Sequence, residues 1–150
     1  MVYRNITQNK LNFVLSCTGY NLLKGQWNLL GEVKSDKPNE IKALACVPTD
    51  SPWFVGHFPN EPILPGIALI HMAEQAIIRH TEKRGEQVKL SALRRVRFTQ
   101  PVKPGENLSL NISGEKLGDE TLFSFKVANS ENIVCSGLII AQKIKKDKKV

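Results

Sequence analysis

The chain lacks a long apolar run. In 150 residues no stretch approaches the roughly 18 consecutive apolar residues that a membrane span requires, so no membrane partner is expected. Cysteine is scarce: Cys17, Cys46 and Cys135 are odd in number, widely spaced and free of any C-x-x-C pair. That excludes a disulfide scaffold and a cysteine-built zinc site, and leaves reduced thiols in a cytoplasm as the expectation. The start, Met1 to Asn5, has neither the basic stretch nor the apolar block of a secretory signal, in keeping with a cytoplasmic location. Repeats and low-complexity segments are also missing, so one domain is expected. With 41% hydrophobic and 23% charged residues, that domain can bury its own core without a structural metal or cofactor.

What the chain does have is positive charge, +7 in sum and unevenly placed. Residues 79–104 carry eight Lys and Arg against Glu82 and Glu86, and the tail 143–150 carries five Lys against Asp147. The first cluster suits an anionic partner. Nucleic acid is not the expected one, because the cluster holds a single aromatic, Phe98, and so offers no stacking platform. The tail reads as a frayed, disordered end.

The element pattern is legible from turns. Residues 1–26 give no clear signal. Trp27–Lys34 and Ile41–Val47 read as a hairpin around Asp36-Lys37-Pro38-Asn39. Pro48 to Pro65 carries five prolines, which argues against regular structure. Gly66 to Arg84, closed by Gly85, predicts a helix of about five turns. Its first half is apolar almost all round, so other structure should wrap it. His80 falls near its C-terminus, where a cation suits the helix dipole. Strand-like runs follow at Val88–Thr99, Asn107–Glu115, Thr121–Ala128 and Ile133–Gln142. The pattern is α+β, one antiparallel sheet curling around one helix over residues 27–142.

Chemistry concentrates between Asp50 and Gly66. Pro59, Pro62 and Pro65 stiffen the loop that carries His57, and the loop feeds directly into the helix. Free amides at a helix start are donors at the positive end of a dipole, and Gly66 has no side chain to keep a carbonyl away. A held imidazole beside such donors suits proton abstraction next to a carbonyl.

Gly56-His57-Phe58-Pro59-x-x-Pro62-x-x-Pro65-Gly66, preceded by Pro52-x-Phe54 and running into an apolar helix, resembles the β-hydroxyacyl-acyl carrier protein dehydratases. Arg95 to Leu108 resembles the strand and turn that follow the helix in that family. The resemblance implies a hot-dog fold, an antiparallel sheet wrapped around one long central helix. It also implies elimination of water from a 3-hydroxyacyl thioester. His57 is then the base and Gly66 the oxyanion donor, with Phe58 and Pro65 beside it in substrate binding. The partner is acyl carrier protein or a coenzyme A thioester, docked on Arg94, Arg95 and Arg97. The assembly is a homodimer or a trimer of dimers, with no cofactor and no metal.

The match departs at one chemical position. Five residues after Gly66 the family has an acidic residue, and here stands His71. A neutral imidazole is a poor proton donor, so a working His71 would need a carboxylate, and Glu74 lies three residues on. Three readings follow. His71 is the acid with Glu74 in support; Glu74 is itself the acid or base, as in a hot-dog thioesterase; or the chain is a non-catalytic subunit that binds acyl groups or carrier protein. A two-His, one-carboxylate metal site from His57, His71 and Glu74 has only its spacing in favour and is set aside. Upstream, Asn21 to Gln26 does not match the basic segment of the family.

Overall fold

A computed structural model of the chain describes residues 27–55 and 60–144. Two strands, β1 (Leu30–Lys34) and β2 (Glu40–Cys46), come first. A short 3-10 turn (Pro52–Phe54) leads to the helix α1 (Gly66–Lys83). Four long strands complete the domain: β3 (Val88–Phe98), β4 (Asn107–Leu117), β5 (Glu120–Ala128) and β6 (Ile133–Lys143). All pair antiparallel in one sheet of order β1-β2-β4-β5-β6-β3. This is the α+β, hot-dog architecture, with α1 packed on the sheet against β1, β2 and β3. The 3-10 turn corrects the expectation of no regular structure between Pro48 and Pro65. Proline is tolerated at its first position, and Ser51 caps it, its Oγ accepting from Trp53 N–H.

The core is set by register. Ile41 faces Ile112, Ile112 faces Phe125, and Phe125 faces Gly137, all across paired strands. The last of these pairs, and Gly114 with Phe123 between β4 and β5, put glycine under an aromatic ring. A Cβ on Gly137 would lie 3.0 Å from the Phe125 ring, and one on Gly114 would lie 2.9 Å from the Phe123 ring. Interior strand glycines of this kind mark close approach rather than weakness. From α1 the buried residues Ala68, Leu69, Met72, Ala73, Ala76 and Ile77 meet this surface, the alanines letting helix and sheet come close.

The far end of α1 is firmly finished. Gly85 takes φ +74°, its N–H donates to Glu82, and Glu86 N–H donates to Thr81, which together form a Schellman stop. Three side chains then tie this end to β1 and the turn after it. Arg79 donates to the Gly31 carbonyl at 2.9 Å, while His80 Nε2 and Arg84 both bond the Pro38 carbonyl, at 3.2 and 2.9 Å. A carbonyl only accepts, so Nε2 carries the proton.

His80 is buried, and desolvation, with Arg84 and Lys83 nearby, lowers its pKa from 6.5 against the raising effects of the Pro38 bond and Glu86. The expected cation at the helix end is therefore disfavoured here, because burial outweighs the dipole. The unfolded chain takes up the proton first as pH falls, so the contribution of His80 to stability is present above pH 6.5 and is lost on acidification. Thermal unfolding between about pH 7.5 and 5.5 should show the wild type losing stability more steeply than His80→Gln.

Among the thiols, Cys135 is free and fully buried, and burial pushes its pKa up to about 11. One further expectation changes. The first half of α1 is not wrapped on all sides in a single chain, because the sheet covers one face. Ile67 stays 58% exposed, as do Leu93 (46%) and Phe98 (53%) on the edge strand β3. Among the described residues no helix is long and apolar enough to cross a membrane. The expectations for residues 1–26 and for most of the basic tail lie outside the described residues.

Candidate active site

The site is built on the start of α1. Pro65 is the N-cap, in extended conformation (φ −62°, ψ 142°), which brings the chain into the helix along a fixed direction. Ala68 N–H is satisfied by the Pro65 carbonyl at 3.0 Å. Among the described residues nothing comparable serves the amides before it: no side chain caps the helix, and its first turn holds no acidic residue. The Gly66 N–H is one of the donors a helix start leaves without an internal acceptor.

A cleft of about 300 Å³ opens at this point, walled by Ile63, Leu64, Leu69, Phe98 and Val102, with Gly66 in its lining. Its edge is held by Leu64 N–H donating to the Val102 carbonyl at 2.8 Å, which ties the loop before α1 to the segment after β3. Phe98 lies over Gly66 so closely that a Cβ at position 66 would sit 2.5 Å from its Cζ. A side chain at this position would force the half-exposed Phe98 ring to move. Phe98 is a wall of the cleft that sequence reasoning missed. The available signal, a lone aromatic inside a basic segment, was read only as the lack of a stacking platform.

His71 lies five residues along α1, about 7.5 Å further up the helix axis, and is half-buried. Its imidazole faces the Trp53 ring at 6.1 Å between centroids. Glu74 is also half-buried, and among the described residues no ion pair joins it to His71. Arg94, Arg95 and Arg97 are exposed on β3, where the pairing with β6 shifts register between Arg94 and Arg97. Arg95 occupies the left-handed region (φ 53°) in this bulge. The structure therefore brings Gly66 and Phe98 together at the cleft, leaves Pro65 outside its lining as the N-cap, and places His71 beside Trp53. His57 and Phe58 lie outside the described residues.

The sequence model of the ApeI-like family, described as ApeI dehydratase, matches residues 33–138. The chain belongs to this family. Curated relatives carry the name 3-hydroxyacyl-[acyl-carrier-protein] dehydratase FabZ. The protein of that name from Haemophilus influenzae Rd is 36% identical over 77 residues, 48% of this chain and 52% of its own. The one from Lactobacillus helveticus is 32% identical over 106 residues, 66% of this chain and 72% of its own. The chain spans about half the length of the first of these relatives. Among solved structures, the dehydratase heterocomplex ApeI:P from Xenorhabdus doucetiae superposes with a TM-score of 0.60 at 24% identity, over 77% of this chain and 97% of that one. A hypothetical thioesterase with coenzyme A from Streptococcus pneumoniae superposes with a TM-score of 0.63 at 11% identity, over 77% and 86%. Both share the hot-dog fold with the family described here.

Proposed function

We propose that the protein is a 3-hydroxyacyl-thioester dehydratase that eliminates water to leave a 2-enoyl thioester. The observation that carries this reading is the uncapped start of α1 at Gly66, opening into an apolar cleft. A thioester carbonyl held there receives the Gly66 N–H, which stabilises the negative charge that develops on its oxygen. His57, nine residues before Gly66 in the sequence, takes the proton from the carbon next to that carbonyl. The electron pair of the broken C–H bond becomes the new double bond, and the C3 hydroxyl leaves as water with a proton supplied from His71. Membership in a dehydratase family supports the same chemistry.

The acyl chain lies along Ile63, Leu69 and Phe98, which are apolar and suit it. Carrier protein docks on the exposed Arg94, Arg95 and Arg97. Two copies associate along β3, which is the edge strand of the sheet among the described residues and whose Leu93 and Phe98 are exposed. The thioesterase alternative has one point in favour, the half-buried carboxylate of Glu74 on the same helix, which makes no ion pair among the described residues.

The two activities part on their products. With a 3-hydroxyacyl thioester, dehydration yields the ultraviolet absorbance of a conjugated enoyl thioester and no free thiol. Growth of that absorbance is the expected result. Thiol release without it overturns the dehydratase reading in favour of the thioesterase, and neither product leaves the non-catalytic acyl-binding reading.

A further inference from the structure

The acid position of this site holds a histidine, and among the described residues no carboxylate pairs with it. Among the described residues, no hydrogen bond or ion pair reaches the His71 ring, and its aromatic neighbour is Trp53. Trp53 is itself held from three sides. Its backbone N–H donates to Oγ of the buried Ser51 at 3.3 Å. Its indole Nε1–H donates to the Trp27 carbonyl at 2.6 Å. Its ring meets the Trp27 ring edge to face, 4.9 Å between centroids at 89°. Its remaining ring contact is to His71, 6.1 Å away and tilted by 51°. That separation is at the outer reach of an aromatic face for a cation, about 6 Å.

We propose that Trp53 is a positioning residue for His71, an anchored aromatic plane that fixes the imidazole at the reacting end of α1 in place of the missing carboxylate partner. The proposal rests on the dehydratase reading, in which His71 gives up a proton to the departing hydroxyl. A ring free to rotate about its side-chain bonds would seldom point that proton at the leaving group. Packing against a plane that is itself pinned removes that freedom. Misplacement of a reacting group by about 1 Å can cost on the order of 100-fold in rate, so the effect belongs on turnover and not on binding.

A double-mutant cycle tests this. Trp53→Leu should lower kcat by about 10- to 100-fold with little change in KM, and Trp53→Phe, which keeps a plane but loses the indole N–H, should recover part of the loss. In a His71→Gln background the same Trp53→Leu change should cost little further. Losses that simply multiply, or a Trp53→Leu protein with wild-type kcat, overturn the proposal. A second measurement needs no turnover. Trp27→Phe keeps the accepting carbonyl and leaves Trp53 as the single tryptophan, the chain having two. Its emission should change when His71→Leu is added, and an unchanged spectrum removes the contact. If the wild type forms no enoyl thioester, the functional reading has failed, and this emission then decides the Trp53–His71 contact separately.

Discussion

His57→Ala will reduce dehydration by about 10²- to 10⁴-fold while leaving the fold intact, the range expected when a general base is removed. The residue stands in a loop whose two ends are tied down. On one side Val55 N–H donates to the Pro52 carbonyl at 3.2 Å, closing the 3-10 turn; on the other Leu64 N–H donates to Val102 at 2.8 Å. Pro62 and Pro65 stiffen the second half of the loop, and Pro65 delivers the chain into α1 at the cleft. In the proposed mechanism this segment supplies the base that acts together with the Gly66 amide. The loss should appear in kcat, with the melting temperature near that of the wild type. A His57→Ala protein that turns over at the wild-type rate would remove His57 from the mechanism and leave Gly66 and His71 without their base.

Phe125→Ala should be the most damaging change to stability, about 3–5 kcal/mol in chemical denaturation. Phe125 is completely buried in the middle of β5 and belongs to the core that α1 closes. Across the strands its ring is flanked by Ile112 on β4 and Gly137 on β6, and a Cβ on Gly137 would lie only 3.0 Å from it. Glycine has no side chain to move into the space, so little of the cavity can collapse, which puts the cost toward the upper part of the range. A loss below about 1 kcal/mol would mean that the neighbours repack, contrary to the close glycine contact.

Element boundaries were readable because punctuation residues are local. Pro65-Gly66 and Gly85 mark the helix to within one residue of Gly66–Lys83, and Lys103-Pro104-Gly105 and Gly118-Asp119 separate the strands. Strand order was not readable, since β3 pairs with β6 across two intervening strands, and nothing in either segment names the other. Gly66 was singled out for its amide alone, whereas the structure also sets it against the Phe98 ring, 32 residues away. Trp53 escaped attention for the same reason: its contacts to Trp27 and His71 span 26 and 18 residues and follow no period. The exposure of Ile67 was missed because an all-apolar helix half looks the same whether its cover comes from its own chain or from elsewhere.

The ties that Arg79, His80 and Arg84 make to Gly31 and Pro38 give the helix a clamped end and a working end. In mechanical terms α1 is a cantilever, rooted in the first hairpin and projecting toward the cleft. Strain applied anywhere along α1 is met at this root, which keeps the helix in register with the first hairpin. A substitution at the root would therefore be felt at the tip as a change of aim, although it touches no reacting atom.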